Sequence, residues 1–338
     1  NGEIIFMKAY DQQNMCHSTV SYTCSSTKVN GITKDAFDAY LFKDGKPLAL
    51  TSENKSDLPV YNDKGEYSIV DLLAVRDGRL SETIDPVIFY QDMTWQRAGA
   101  MAMTSSTGYG VATFDNTSLP IDDRQNTVQN YTCAPLYWGA LICLNYAEAK
   151  AELGELTDAD WAATIGALRS RAGITGGTPQ TGTLTTRPSS AEPYIASYYP
   201  TISDPSLLEI RRERGIELCL EGLRLNDLKR WNCCDLWVND PWEGIFIPSL
   251  NQPLDVNGDG NYDAYFYDTD KIADEKYAAI GVYVGTNKSN VLNVKPVQGG
   301  YLMEYNYAGR SWPTRQYLYP IPEVVIQFNT NLSQNPGW

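Results

Sequence analysis

One segment of the chain carries a glutamate at every fourth position, and this pattern constrains the possible fold more than any other feature. The residues are Glu209, Glu213, Glu217 and Glu221. On a helix these side chains share one face, where each like-charged pair destabilises the helix by about 0.2–0.5 kcal/mol. Such a face is stable only where cations meet it. Five arginines are available, on the same segment and on an upstream one: Arg212, Arg214, Arg224, Arg169 and Arg171.

A spacing of three residues brings two side chains together on a helix. It predicts the pairs Arg212–Glu209, Arg214–Glu217 and Arg224–Glu221. Arg169 and Arg171 are expected to reach the same face from another helix. We interpret the pattern as an interhelical ion-pair network that is structural rather than catalytic.

Helical signals are concentrated around this segment. Apolar residues recur at steps of three and four from residue 136 to 151, and Gly154 ends that helix. Thr157 and Asp160 have capping-box spacing and begin a second helix that stops at Gly173. The two helices are predicted to form an αα-hairpin. A strong helix from Pro205 to Glu221 follows, with Asp204 as its N-cap, and a shorter one covers 223–231.

The flanking regions are predicted to be less regular. Residues 1–132 contain strand-like pieces and turns, including a strand over 3–10 with the spacing of a buried element. Residues 174–205 form a long loop rich in Gly, Thr, Ser and Pro, expected to be a functional or surface loop. The aromatic-rich region 233–338 ends in a proline-punctuated tail predicted to contain turns and extended pieces. The helical region between them is 133–232.

Composition excludes several functions. The 27 Lys+Arg against 41 Asp+Glu give a formal charge of -14, which repels a phosphate backbone, so no nucleic-acid partner is expected. His17 is the only histidine, which removes catalytic triads and two-histidine zinc sites. No apolar run approaches the roughly 18 residues of a membrane-spanning helix.

Three motifs in order resemble the SusD/RagB family. They are the Glu- and Arg-rich stretch from Glu209 to Trp231, the ending from Tyr317 to Gly337, and the helical pair marked by 144–149 and 168–173. The resemblance implies a mainly α, SusD-like fold with tetratricopeptide-like helical hairpins, long irregular loops and a few short strands. Members are usually longer at the N-terminus. We therefore expect residues 1–338 to be a single SusD-like domain that lacks its N-terminal helices and the anchor cysteine.

The resemblance also implies a function. Family members are lipid-anchored, surface-exposed nutrient-binding proteins of the Bacteroidota outer membrane, and they cover a SusC-like TonB-dependent transporter. The expected role is therefore to bind an extracellular oligosaccharide and deliver it to the transporter without catalysis. Alternatives remain open: a peptide cargo of the RagB type, a protein scaffold without a small ligand, or a glycosidase that uses two carboxylates.

One stretch of the middle region has the composition of a sugar-binding loop. A sugar presents an apolar C–H face and a rim of hydroxyls, so its binder needs an exposed aromatic ring beside polar side chains. The expected ligand-binding residues are Tyr90, Asp92, Trp95, Gln96, Arg97 and Tyr109. The alternative is that Trp95 packs under the loop. Tyr194, Tyr198 and Tyr199 form a second candidate set, whereas Trp231 is assigned to packing.

Another stretch has the spacing of a calcium-binding loop. Oxygen-bearing side chains alternate along it, and a glycine allows the sharp turn that such a loop needs. The position of the usual closing glutamate is Phe266, so Asp268, Asp270 or water would have to complete the site. The alternative is a turn without metal. The expected structural Ca²⁺ ligands are Asp255, Asn257, Asp259, Asn261 and Asp263.

Overall fold

Helices form the centre of the described chain, and short strands flank them. The structure is a computed structural model. It describes residues 2–19, 31–48, 73–84, 107, 109–111, 113, 116, 118–120, 123, 128–239, 242–247, 250–254, 261–262, 264–283, 294–295, 300–304 and 310–338.

The helices are α1 (Lys34–Ala39), α2 (Gly78–Thr83), α3 (Gly139–Glu152), α4 (Asp158–Trp161), α5 (Ala167–Arg171), α6 (Pro193–Tyr198), α7 (Pro205–Glu217), α8 (Arg224–Arg230), α9 (Leu236–Asn239) and α10 (Glu323–Phe328). The strands are β1 (Ile4–Lys8), β2 (Ala134–Trp138), β3 (Trp242–Ile247), β4 (Gln252–Leu254), β5 (Ala264–Tyr267), β6 (Gly281–Tyr283), β7 (Val294–Lys295) and β8 (Gly300–Glu304). The prediction of a mainly α fold with a few short strands is confirmed.

The predicted helical hairpin is present. Thr157 Oγ1 accepts a hydrogen bond from Asp160 N at 3.1 Å, and Asp160 Oδ2 accepts one from Thr157 N at 3.0 Å, which completes the capping box at the start of α4. A π-helical turn, Ala162–Gly166, joins α4 to α5 without a break. The hairpin packs against α7 around buried apolar side chains that include Leu144, Trp161, Ile165 and Ile210.

The long segment after α5 lies on this hairpin instead of projecting from it. Trp161 Nε1 donates to Thr183 O at 2.9 Å, and Arg169 Nη1 donates to Thr181 O at 2.5 Å. The backbone approaches so closely that a Cβ on Gly166 would lie 1.9 Å from Leu184 O. The first part of the predicted loop is therefore packed on the scaffold.

Helix α7 begins where the sequence predicts and ends four residues early. Asp204 caps it by accepting from Ser206 N at 2.9 Å. The helix ends at Glu217, and the chain becomes left-handed three residues later, with φ of 67° at Leu220 and 76° at Gly222. Glu221 therefore lies beyond the helix and leaves the glutamate stripe.

Strand β1 is not the buried element that its sequence suggests. It pairs antiparallel with β2, from Ile4 opposite Trp138 to Lys8 opposite Ala134. Its side chains are exposed on both faces, at 66% for Ile5 and 59% for Phe6. The prediction of a buried strand is therefore wrong, and the apolar residues of β1 form an uncovered surface in the described chain.

The described C-terminal region contains two small sheets, the short helices α9 and α10, and the 3-10 helices Glu275–Ile280 and Thr314–Tyr317. One sheet has the order β3-β8-β7 and the other β4-β5-β6, in which β5 and β6 are parallel. The tail was predicted to contain only turns and extended pieces, yet α10 forms directly after Pro322. Proline is compatible with a helix start because that position needs no backbone donor.

Candidate functional site

The predicted sugar-binding loop is described at one position only. Tyr90, Asp92, Trp95, Gln96 and Arg97 lie outside the described residues. Tyr109 is described, and it differs from the exposed platform that the sequence suggests. It is 3% exposed, and its ring stacks on Phe37 with centroids 4.3 Å apart. An aromatic ring buried against another ring stabilises the fold more than one exposed to water, so Tyr109 is a core residue.

The second tyrosine set divides between the surface and the core. Tyr194 and Tyr198 are half-buried on α6, with their hydroxyl oxygens 2.7 Å apart. Tyr194 Oη also donates to Asp35 Oδ1 at 3.2 Å, and burial raises the pKa of that carboxyl group. Tyr199 is 3% exposed and lies edge-on to Trp231. Both Tyr194 and Tyr198 thus use their hydroxyls within the protein.

The predicted calcium loop connects the two strands of a hairpin. Strands β4 and β5 pair antiparallel, and Leu254 lies opposite Ala264. Of the proposed ligands only Asn261 is described, and it is exposed; the others, Asp255, Asn257, Asp259 and Asp263, lie outside the described residues. Across the described part of the chain, no three His, Cys, Asp or Glu side chains converge as a metal site.

Asp268 is described, and it lies at the other end of β5 from Ala264. It follows the far end of β5, four residues beyond Ala264, which at strand geometry is about 13 Å away. Its Oδ1 accepts a hydrogen bond from Asn251 Nδ2 at 3.0 Å. Asp268 and Asp270 thus follow the end of β5 that is remote from Ala264.

The glutamate stripe forms the predicted interhelical network. Arg169 on α5 donates to Glu209 and to Glu213, both at 2.8 Å, and all three side chains are at most 1% exposed. Arg212 pairs with Glu209 at 2.9 Å, as predicted. Arg171 contacts Glu217, also as predicted. Burial alone would raise the pKa of Glu213, but Arg79 and Arg169 outweigh it and lower that pKa.

Two partners of this network come from segments that the sequence analysis did not connect with it. Arg79 on α2 donates to Glu213 at 2.6 Å and to Glu217 at 2.7 Å. Glu192, just before α6, accepts from Arg212 at 2.5 Å. Helical spacing finds pairs within one helix, whereas these contacts join residues more than 130 positions apart in one case and 20 in the other.

The prediction for Arg214 is corrected. Instead of Glu217 it pairs with Asp227, with Nε and Nη2 each donating to one carboxylate oxygen at 3.0 and 2.9 Å. Two parallel bonds fit the guanidinium fork better than one contact along the same helix. Arg224 also differs from the prediction, because its Nη2 donates to Tyr199 Oη at 3.2 Å.

Glu148 accepts hydrogen bonds from several further donors at the end of this network. It accepts from Arg230 through both oxygens at 2.6 Å, and from Trp231 Nε1 at 2.6 Å. The guanidinium carbon of Arg211 lies 4.4 Å from the Trp231 ring centroid. Trp231 is thus enclosed by protein contacts, which agrees with its assignment to packing. The buried carboxylates of the network, Glu148, Glu209, Glu213 and Asp227, are each paired with arginine, as a structural role requires.

An aromatic cluster on the C-terminal side was not predicted as a unit. Trp237 stacks on Trp242 with centroids 6.4 Å apart and contacts Trp312 at 5.9 Å. Trp312 in turn meets Tyr317 edge-on at 6.0 Å. The sequence shows that the region is rich in aromatics, but rings 75 positions apart can be brought together only by the fold. We call Trp237, Trp242, Trp312, Tyr317 and Tyr319 the C-terminal aromatic cluster.

Helices long and apolar enough to cross a membrane do not occur among the described residues. The longest helix there, α3, has 14 residues and is interrupted by charged side chains.

Comparison with known proteins shows where the fold belongs. The sequence matches the SusD family over residues 2–338. A SusD-like carbohydrate-binding protein from Bacteroides fragilis superposes with a TM-score of 0.53 at 20% identity, covering 98% of this chain and 55% of that one. Another SusD-like protein from the same species gives 0.53 at 21% identity, covering 100% and 54%.

The chain thus spans about half the length of these solved relatives, and at such identities the likeness concerns the fold alone. No curated protein matches the sequence significantly. The family match extends over almost every residue. The chain therefore belongs to the SusD family.

Proposed function

We propose that this protein binds an extracellular oligosaccharide at the cell surface and delivers it, chemically unchanged, to a SusC-like TonB-dependent transporter in the outer membrane. The observation that carries the proposal is the family match over residues 2–338. A solved relative of the same fold is described as a carbohydrate-binding protein. A lipid anchor would keep the protein at the membrane surface.

The described interior supports binding over catalysis. Its buried carboxylates, Glu209 and Glu213 among them, are each paired with arginine and enclosed by packed helices. A glycosidase needs one carboxylic acid that stays protonated and one free carboxylate facing the same cleft. The pKa of Glu213 is instead lowered by its arginine partners. A carboxylate held in this state is suited to stabilising a scaffold.

The proposed cargo contact is the aromatic loop around Trp95, with Tyr90, Asp92, Gln96 and Arg97 beside it. A ring in this loop would stack on the C–H face of a sugar, while the polar side chains meet its hydroxyls. Because Tyr109 belongs to the core, it is not part of the proposed contact.

Titration of the purified protein against neutral and acidic glycans tests this function. We expect binding of at least one glycan at millimolar concentration or below, with no change in the length of the glycan afterwards. Trp95→Ala should weaken that binding at least about tenfold and leave the unfolding temperature nearly unchanged. If peptide mixtures bind and no glycan does, the cargo is a peptide and the glycan assignment is wrong. Release of shortened glycan would refute the non-catalytic role.

We also propose that the turn between β4 and β5 binds Ca²⁺ through Asp255, Asn257, Asp259, Asn261 and Asp263. The ladder pair Leu254 and Ala264 brings the two ends of this turn together, as a loop that wraps one ion requires. No nucleophile or base accompanies these residues in the sequence. The ion would therefore stabilise the hairpin and take no part in chemistry.

A further inference from the structure

The C-terminal aromatic cluster leaves part of its apolar surface open. Trp237 is 40% exposed and Tyr319 is 70% exposed, although both rings are large and apolar. Trp237 has its indole supported by Trp242 and Trp312, so its ring is held in place. A rigid, exposed aromatic ring loses little conformational entropy on binding, which is why such rings dominate recognition surfaces.

A lysine lies within this cluster. Lys229 Nζ is 3.8 Å from the centroid of Tyr319 and 5.8 Å from that of Trp312. Among the described residues no carboxylate forms an ion pair with it, and this includes Asp235 nearby in the sequence. On a chain with a formal charge of -14, this ammonium group is a local positive charge that an anionic group can approach.

The polar groups of the cluster are also incompletely matched. Trp312 Nε1 and Gln316 Oε1 are shielded from water, and neither has a hydrogen-bond partner. An unmatched buried group costs about 1–3 kcal/mol, and few are tolerated in a native structure. Trp312 is therefore packed within the cluster, but its indole N–H donates no hydrogen bond within the described protein.

We infer that the C-terminal aromatic cluster is a binding subsite for an acidic sugar residue, whose ring stacks on Trp237 and whose carboxylate or sulfate pairs with Lys229. This inference rests on the proposed function and names the class of glycan. A neutral sugar would use the indole face but leave the ammonium unpaired. An anion without a sugar ring would use the ammonium but leave the indole face in water.

Two pairs of polymers test the contribution of the acidic group separately from that of the sugar backbone. Polygalacturonate and its highly methyl-esterified form share a backbone and differ in carboxylates. Dextran sulfate and dextran share a backbone and differ in sulfates. Affinity for each polymer would be measured by calorimetry at low and at high NaCl, because only a contact with an anion weakens as salt screens it.

The variants Trp237→Ala and Lys229→Gln test the two contacts. Their matched controls are Tyr137→Ala, which removes an aromatic ring 55% exposed on β2, and Lys150→Gln, which removes a charge on α3. Far-ultraviolet circular dichroism and the unfolding temperature establish that each variant is folded. Tyr319→Ala gives a second test of the ring surface should Trp237→Ala fail to fold.

We expect one charged polymer of the two pairs to bind more tightly than its neutral counterpart, and which pair it is distinguishes carboxylate from sulfate. Trp237→Ala and Lys229→Gln should each weaken that binding at least about tenfold, and the controls less than about twofold. Lys229→Gln should also remove most of the salt dependence.

Two results would overturn the inference. If the polymers bind and both variants bind them as tightly as the unmodified chain, the subsite is elsewhere while the proposed function stands. If none of the four polymers binds, the acidic-sugar subsite is refuted, and the broader glycan panel described above decides whether the proposed function falls with it.

Discussion

Removing one arginine from the buried network should destabilise the protein strongly, and the loss should depend on pH. Arg169→Met keeps an unbranched apolar side chain and removes the guanidinium. Arg169 is 1% exposed and donates to Glu209, Glu213 and Thr181 O. Removing one partner from a buried ion pair costs about 3–5 kcal/mol, because the remaining charge is left uncompensated. That is a large share of the roughly 5–15 kcal/mol that stabilises a typical domain.

The pH dependence follows from Glu213. In the unmodified protein its pKa is lowered from 4.5, so its ionised form stabilises the fold above that pH, and the contribution disappears as pH falls through the lower folded pKa. Arg169→Met removes one of the two arginines that lower the pKa. The deficit in free energy of unfolding should therefore be largest above about pH 4.5 and shrink below it.

Urea unfolding followed by circular dichroism at pH 7 and at pH 4 measures this deficit. The matched control is Arg187→Met, because Arg187 pairs with Asp158 at 3.1 Å on the surface, where the side chains are 40% and 57% exposed. The control should change stability little. Equal losses for the two variants, or a deficit at Arg169 that is the same at both pH values, would contradict the assigned role of the network.

Two further predictions concern a close backbone contact and the proposed ion. Gly166→Ala should lower the free energy of unfolding by about 1–3 kcal/mol, because its methyl group would overlap Leu184 O. Gly215→Ala on α7 is the control, because its methyl group meets nothing closer than 3.6 Å. It should be neutral or stabilise the protein by up to about 1 kcal/mol. In differential scanning fluorimetry Ca²⁺ should raise the unfolding temperature relative to chelator, and Asp255→Ala with Asp259→Ala should abolish the rise; identical melting in both buffers would remove the metal proposal.

Features set by neighbouring residues could be predicted from the sequence. The capping box of Thr157 and Asp160 and the N-cap Asp204 depend on contacts within three positions, and both are present. The end of α7 could not be placed as well. The sequence predicts a helix to Glu221, but Leu220 already adopts a left-handed conformation, which is common for glycine and rare for leucine.

Features set by tertiary packing could not be predicted from the sequence. Arg214 has Glu217 at helical spacing, yet the chain turn after α7 brings Asp227 into bidentate reach. The apolar run of β1 is equally compatible with a buried strand and an uncovered one, and the structure shows the second. The sequence likewise showed the tryptophans of the C-terminal region without the contacts that make them one cluster.

The charge network has a consequence for how the protein could be re-engineered. Because Arg169, Glu209, Glu213 and Arg79 form one set of mutually dependent charges, a change at any of them must be compensated by its neighbours. The aromatic rings at the surface are not part of this set of charges, so changing them requires no compensation in the interior. Under the proposed function, new ligand preferences should therefore be obtained by changing aromatic surface residues while the arginine–glutamate interior is left unchanged, so that one scaffold accepts many ligands.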